Sequence, residues 1–279
     1  GRFDFPHYGQ SVVPLPNRDF IAIAGGAYHS LALKSDGSVV AWGDNYYGQR
    51  NVPAPNTGFI AIAAGGYHSL GLKADGSIVA WGNNGSYQCN VPAPNTDFIA
   101  VAAGAHHSLG LKTDGSIVAW GYNYFGQTNV PAPNTGFIAL AAGYGHNLGL
   151  KADGSIVAWG DNGDGQTDVP ATDTAFIAVA AGDAHSLGLK ADGSIVAWGG
   201  NESGQTNVPA PNTYFVAVTT GGDTNPGHSL GLKFDGSIVA WGYNAYGQTS
   251  VPVPNMDFIA VDAGGYHSLG LKADGTIVA

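Results

Sequence analysis

The chain has 279 residues, of which 44% are hydrophobic, 11% are charged and 44 are glycine. So few charged residues argue against helical bundles and coiled coils, and a chain this apolar can bury a core and is not disordered. The net charge of −10 argues against nucleic acid and anionic lipid as partners, and no apolar run approaches the ~18 residues of a membrane helix, so we expect no membrane insertion.

The first ten residues contain no basic segment followed by an apolar stretch, so we expect no signal peptide within this chain. The single cysteine, Cys89, excludes an internal disulfide and a cysteine-based zinc site. Its position is held by Arg50, Thr128 or Thr206 elsewhere in the chain, which indicates a tolerated free thiol.

Trp-Gly pairs divide the chain into repeats. Four consecutive spacings between the tryptophans are 39 residues and the last is 43, for Trp42, Trp81, Trp120, Trp159, Trp198 and Trp241. Counting back 39 residues from Trp42 reaches Phe3, whose surroundings fit the same pattern. The sequence therefore predicts one domain over residues 1–279, with repeat periods starting at 3, 42, 81, 120, 159, 198 and 241.

Each period contains four predicted strands. For example, residues 59–63 are apolar on both faces, as in a strand between two sheets, and residues 69–73 alternate between apolar and polar or small side chains. A tight turn at 73–76 leads into a third strand at 77–81, and a fourth around 90–92 carries a proline that suits a sheet edge. Four short strands per ~40 residues predict an all-β, seven-bladed β-propeller with four-stranded blades.

The chain ends also fit a closed propeller. The last repeat stops one residue before its tryptophan position, and residues 1–14 match the missing half-strand and edge strand. We expect this N-terminal segment to complete the last blade and close the ring. Each tryptophan ends a third strand, and we expect it to wedge between neighbouring blades.

The repeated motif Ala-Ala-Gly-x-x-His-Ser-Leu, then Lys-x-Asp-Gly-Ser-Ile-Val-Ala-Trp-Gly-x-Asn, then Gly-Gln resembles the regulator of chromosome condensation repeat family over the whole chain. This resemblance implies a seven-bladed propeller. The segments 42–49, 126–131 and 204–209 look like a secreted bacterial branch that includes a propeller-type β-lactamase inhibitory protein. That narrower resemblance implies an inhibitor rather than an enzyme, at a secreted or cell-surface bacterial location.

Alternating strand directions predict two different ends of the propeller. The loops after strand one and after strand three open together, and we call this end the loop face. The Lys-x-Asp-Gly turns and the Pro-Ala-Pro-Asn-Thr connections open at the other end, which we call the turn face. Seven turn lysines offset seven turn aspartates, so we expect a uniform turn face.

The loop face varies between repeats that are otherwise near copies, and it holds twelve of the thirteen tyrosines, all but Tyr214. Tyrosine provides large, rigid contact area, and acidic neighbours favour a protein partner with a basic patch. The predicted partner-binding residues are Tyr28, Asp44, Tyr46, Tyr47, Tyr67, Tyr87, His106, Tyr122, Tyr124, Phe125, Tyr144, Asp161, Asp164, Asp183, Glu202, Asp223, Tyr243, Tyr246 and Tyr266.

No motif predicts catalysis, a metal or a cofactor. Seven histidines recur once per repeat, which favours structural imidazoles bonded to nearby backbone over zinc ligands, namely His29, His68, His107, His146, His185, His228 and His267. The acidic run at 161–168 lacks the terminal glutamate of a calcium loop. The serines after these histidines repeat as well, whereas a nucleophile would be unique.

Three functions remain open on these residues. The preferred one is a non-enzymatic, monomeric propeller that binds a protein through its loop face, with β-lactamase inhibition as its sharpest form. The alternative is a lectin-like module, because tyrosine rings also stack on carbohydrate. The third is a repeat scaffold without a ligand of its own.

Overall fold

The computed structural model describes residues 8–171, 174–222 and 227–279, and these residues form seven antiparallel sheets of three strands. The first strands are β1 (Phe20–Gly25), β4 (Phe59–Ala64), β7 (Phe98–Ala103), β10 (Phe137–Ala142), β13 (Phe176–Ala181), β16 (Phe215–Gly221) and β19 (Phe258–Ala263). The central strands are β2 (His29–Lys34), β5 (His68–Lys73), β8 (His107–Lys112), β11 (His146–Lys151), β14 (His185–Lys190), β17 (His228–Lys233) and β20 (Ser268–Lys272). The third strands are β3 (Val39–Gly43), β6 (Ile78–Gly82), β9 (Ile117–Gly121), β12 (Ile156–Gly160), β15 (Ile195–Gly199), β18 (Ile238–Gly242) and β21 (Ile277–Val278).

The all-β, seven-bladed architecture is confirmed, but the predicted fourth strand is wrong. Each described sheet has three strands, because the Asn-Val-Pro segment after strand three turns on itself instead of joining the ladder. After β3, the Asn51 amide donates to Gly48 O and the Val52 amide to Arg50 O. The following proline has no amide to donate. No helix in the described residues is long and apolar enough to span a bilayer.

Tryptophan packs between neighbouring sheets, as predicted. Trp81, at the end of β6, shares a buried cluster with Leu31, Leu33 and Val39 of the preceding sheet. Its indole Nε1 donates to Gln49 O at 2.8 Å, in the segment that replaces the fourth strand. That segment therefore connects neighbouring sheets, through the Gln49 carbonyl and through the packing of Val52 against the same cluster.

The first strands line a central channel rather than lying between two sheets, which corrects the sequence expectation. Alanine and glycine from all seven first strands form the channel wall. A β-bulge at the second residue interrupts each pairing with the central strand, as between Phe59 and Ala61. The residue at this bulge is about half exposed in every sheet, at Ile21, Ile60, Ile99, Ile138, Ile177, Val216 and Ile259.

The seven repeated histidines form a belt that links neighbouring sheets. Each donates from Nε2 to a side chain one sheet ahead, over 2.7–2.9 Å, in the pairs His29–Ser69, His68–Ser108, His107–Asn147, His146–Ser186, His185–Ser229, His228–Ser268 and His267–Ser30. The prediction of structural imidazoles is confirmed, but the predicted backbone partner is wrong.

The acceptor fixes the tautomer of these imidazoles. Ser69 gives its only hydroxyl proton to Gln49 O, so His29 must donate from Nε2. The Nδ1 atoms of the belt are buried and have no hydrogen-bond partner among the described residues. Burial lowers the pKa of His29, His68, His146 and His228 from 6.5 to about 3, and of His107, His185 and His267 to about 4.

The first and last sheets lie side by side. The Gly265 amide donates to Gly26 O at 3.1 Å, and Phe20 N donates to Gly275 O at the other end of the seam. The carbonyl of Gln10 accepts from Trp42 Nε1 at 2.8 Å, as Gln49 does for Trp81. Residues 1–7 lie outside the described part, so completion of the last blade by residues 1–14 stays a prediction.

Repeated contacts also hold the turn face together. Lys73 Nζ lies 3.5 Å from the centroid of the Phe59 ring, where the cation interacts with the π system, and it also donates to the carbonyls of Pro55 and Thr57. Asp75 accepts from the amide and hydroxyl of Ser77. Among the described residues of this face, Arg18 and Asp19 form an ion pair over 3.5 Å.

Candidate functional site

The predicted loop face is present at one end of the propeller. The loop after strand three bonds to the residue just before strand two in the same sheet. The Asp44 amide donates to Tyr28 O at 2.8 Å, and the Tyr122 amide to His106 O at 2.9 Å. Because this bond recurs from sheet to sheet, both sets of loops open at the same end, as the sequence predicts.

Aromatic rings form an inner arc on this face. Tyr28 stacks on Tyr266 with 5.3 Å between ring centroids, and it lies 5.9 Å from Tyr67. Tyr67 stacks on His106 at 5.7 Å, and His106 lies edge-on to Tyr144 at 6.3 Å. The arc therefore runs without interruption across the seventh, first, second, third and fourth sheets.

An outer tier of rings extends this arc towards solvent. Tyr122 lies edge-on to His106 at 6.2 Å and stacks on Tyr124, which lies 5.0 Å from Phe125. Similar contacts attach Tyr8, Tyr46, Tyr47, Tyr243 and Tyr246. We call the inner arc and outer tier together the aromatic belt.

The outer members of the belt are the accessible ones. The exposed fraction is 83% for Tyr46 and 78% for Tyr124, whereas Tyr28 and Tyr67 are half-buried. Tyr87 is 70% exposed, but no ring contact joins it to the belt within the described residues. Its φ of 64° is left-handed, at a position where other repeats carry glycine, so its backbone is strained.

Acidic residues occupy the sector beside the belt. Asp164 and Glu202 are exposed in the fourth and fifth loops after strand three, and Asp183 lies between them in the fifth sheet. We call these three residues the acidic sector. Asp223, also predicted for this face, lies outside the described residues.

Two predicted acidic residues have a local structural role. Asp44 accepts from the Tyr46 amide and from Gln49 Nε2 at 2.7 Å, which closes its own loop. Asp161 accepts from the Gly163 amide. Asn83 does the same for Gly85 in the loop after β6, so a neutral amide can replace the carboxylate at this position.

The central channel holds one group that the sequence interpretation missed. Asp262 lines an empty volume of ≈ 900 Å³ whose wall is otherwise mostly alanine and glycine. Its Oδ1 accepts from Thr219 Oγ1 at 2.8 Å and its Oδ2 from the Gly25 amide at 2.9 Å, so it connects three successive sheets. Burial raises its pKa. Alanine occupies this position in the first five repeats, and that internal difference was the available signal.

The geometry offers no assembled reaction centre among the described residues. No group of three histidine, cysteine or acidic side chains there is arranged to hold a metal ion. Each serine that follows one of the repeated histidines donates its proton to a backbone carbonyl, as Ser69 does to Gln49 O, and accepts from the histidine of the preceding sheet, as Ser69 does from His29. Such a hydroxyl has a buried structural role in the sheet.

Cys89 is expected to react slowly with alkylating reagents. Burial raises the pKa of its thiol to about 11, and Sγ donates to Asn83 O at 3.1 Å. At neutral pH roughly one thiol in ten thousand is then ionised. Iodoacetamide labelling followed by mass spectrometry should be far slower than for free glutathione, and an equal rate would contradict this assignment.

The repeats match a protein-family model described as the regulator of chromosome condensation (RCC1) repeat. The matched residues are 20–49, 59–88, 98–127, 137–166, 176–205 and 224–248. No curated protein matches the chain.

Solved structures share the fold. Prp20p from Saccharomyces cerevisiae, described with its binding to Gsp1p and histones, is 21% identical over 91% of this chain and 82% of its own, with a TM-score of 0.75. The CRINKLY ectodomain of the Arabidopsis thaliana receptor kinase ACR4 is 26% identical over 92% of this chain and 94% of its own, with a TM-score of 0.74. Human WBSCR16 is 18% identical over 92% of this chain and 88% of its own, also with a TM-score of 0.74.

Proposed function

The chain belongs to the regulator of chromosome condensation (RCC1) repeat family, and from that premise we propose that it is a non-enzymatic propeller that binds a protein through its loop face. The partner carries a basic patch that meets the acidic sector and an apolar surface that meets the aromatic belt. A secreted or cell-surface bacterial location, as the sequence resemblance implies, is part of this proposal.

The observation that carries the proposal is the continuity of the aromatic belt. Its rings contact one another across five sheets, although the outer positions differ between repeats that are otherwise near copies. Tyr46 and Tyr124 present most of their ring area to solvent, where tyrosine commonly forms binding hot spots. The protein partners named for Prp20p support a protein as the class of partner.

Substituting Tyr124 by alanine should weaken partner binding by about 2 kcal/mol, roughly 30-fold, because it removes an exposed hot-spot ring. The measurement is surface binding of the purified chain to a panel of class A β-lactamases and of basic proteins such as histones. Tyr214→Gly is the matched control, since Tyr214 is 73% exposed but lies on the turn face. Losses below about 0.3 kcal/mol for alanine at each of Tyr46, Tyr47, Tyr124 and Phe125 would exclude this face.

The panel also separates the forms of the proposal. Binding to β-lactamases alone would support the inhibitor form, and binding to histones alone would favour a general basic-protein ligand. If no protein binds, a glycan array tests the lectin-like alternative, for which the stacked rings of the belt are the supporting observation.

A further inference from the structure

The turn face is not uniform, contrary to the sequence expectation. Exposed apolar side chains cluster at the sixth sheet and the connection that follows it, and Leu15, 90% exposed, holds the position of Val253 in the connection before the first sheet. Tyr214 is 73% exposed, Phe234 84%, Val253 90% and Met256 50%. The position of Tyr214 holds Asp19, Gly58, Asp97, Gly136, Ala175 and Asp257 in the other repeats. The position of Phe234 holds Ser35, Ala74, Thr113, Ala152, Ala191 and Ala273.

Hydrogen bonds hold these residues on the sixth sheet. The Phe234 amide donates to Tyr214 O at 2.9 Å. The connection that carries Val253 and Met256 is held to the same sheet, because Asn255 Oδ1 accepts from the Ile238 amide at 2.8 Å. We call Tyr214, Phe234, Val253 and Met256 the apolar patch.

Tyr214 has a backbone conformation that disfavours its side chain. Its φ is 65°, in the left-handed region, where a bulky residue costs on the order of 1 kcal/mol relative to the glycines at 58 and 136. The side chain is exposed and adds nothing to the core. A strained, exposed aromatic residue of this kind indicates a contact outside the fold.

The surface around the apolar patch suits a copy of itself. The half-exposed bulge residues are second in each first strand, where that strand leaves the turn face, and Val216 and Ile259 follow closely after Tyr214 and Met256 in the chain. Among the described residues of the turn face, eight cationic side chains nearly balance ten carboxylates. The cations are Lys34, Lys73, Lys112, Lys151, Lys190, Lys233, Lys272 and Arg18, and the carboxylates are Asp36, Asp75, Asp114, Asp153, Asp192, Asp235, Asp274, Asp19, Asp97 and Asp257. The loop face has six carboxylates against Arg50.

We propose that the turn face is a self-association surface on which two copies of this chain pack face to face. Two aromatic side chains of this exposure present on the order of 300 Å². Val253, Met256 and the seven bulge residues extend the apolar area towards the roughly 800 Å² per partner of a stable interface. A two-fold axis perpendicular to the channel and running through the sixth sheet places patch on patch and bulge residues on bulge residues, as an isologous dimer requires.

Sedimentation velocity between about 1 and 100 µM tests the dimer. The wild-type chain should dimerise with increasing concentration, and the variant Tyr214→Gly/Phe234→Ala/Val253→Ala/Met256→Thr should stay monomeric. Each new residue is one that other repeats carry at that position, so the variant should retain the wild-type melting temperature or exceed it.

A second pair of variants makes the result specific. Phe234→Ala alone should weaken dimerisation, whereas Tyr46→Ala/Tyr124→Ala on the loop face should leave it unchanged. A wild-type chain that is monomeric at the highest concentration would overturn the proposal. Equal dimerisation of the fourfold variant would overturn it as well. Neither result bears on binding at the loop face.

Discussion

Lowering the pH from about 7.5 to about 5.5 is expected to remove most of the free energy of unfolding of the propeller, because the histidine belt cannot accept protons while it is buried. At about pH 7.5 and above, the seven imidazoles are almost entirely neutral in both the folded and the unfolded chain. As the pH falls below 6.5 the unfolded chain gains protons, whereas the folded belt has pKa values of about 3 to 4. Stability is therefore lost as the pH falls.

The size of this effect follows from seven linked groups. Each histidine lowers the free energy of unfolding by about 1.4 kcal/mol at one pH unit below 6.5, which totals roughly 10 kcal/mol. Typical domains are stable by about 5–15 kcal/mol, so the acid midpoint should lie between about pH 5 and 6. The turn aspartates, such as Asp75, have lowered pKa values and destabilise the fold only below about pH 3.8.

Circular dichroism during acid titration, combined with urea unfolding at each pH, measures how the free energy of unfolding changes with pH. The cooperativity should correspond to uptake of several protons between about pH 6.5 and 4. His68→Asn, which keeps a side-chain donor in the belt, should reduce the uptake by about one proton. Stability that is flat down to pH 4 would contradict the buried neutral belt.

Removing residues 1–13 is expected to lower the free energy of unfolding by on the order of 4 kcal/mol. The deletion removes the Gln10 carbonyl, which accepts from Trp42 Nε1 at 2.8 Å and from Ser30 Oγ at 3.1 Å. Ser30 is also the acceptor for His267 at the seam between the last and first sheets. Val13, which packs against the Phe20 and Trp42 cluster, is lost as well.

Urea unfolding of the truncated chain measures this loss, with Gln10→Ala as the control. The two bonds use the main-chain carbonyl of Gln10, so the side-chain substitution should cost much less than the deletion. A truncated chain with the wild-type melting curve would show that the N-terminal segment does not hold the seam.

The strands were predictable because each repeat contains sequence signals that mark the ends of its strands. Seven copies of the Lys-x-Asp-Gly turn and six of the Trp-Gly pair fix where strands two and three begin and end, and the structure agrees within a residue. The prediction of a fourth strand was wrong because the strand propensity of residues 90–92 does not show whether a neighbouring strand is available for pairing. Each such segment bonds through a glutamine carbonyl to the next sheet instead, a tertiary contact that no local pattern reports.

The candidate site was predictable in its position but not in its organisation. Strand alternation places the variable loops at one end, which the Asp44–Tyr28 backbone bond confirms. The stacking of Tyr28 on Tyr266 joins residues 238 positions apart, which depends on the first and last sheets being neighbours. The repeated lysines and aspartates predict a uniform turn face. They carry no information about the apolar residues that replace small or polar ones at Tyr214 and Phe234.

Covalent tyrosine labelling, with and without a bound partner from the panel, tests the central claim that the loop face is the binding surface. Tyr46, Tyr87 and Tyr124 are 70–83% exposed on that face, and Tyr214 is 73% exposed on the opposite one. Mass spectrometry should show that the partner protects Tyr46 and Tyr124 from labelling, while the reactivity of Tyr214 does not change. Protection of Tyr214 with continued labelling of Tyr46 and Tyr124 would contradict the account.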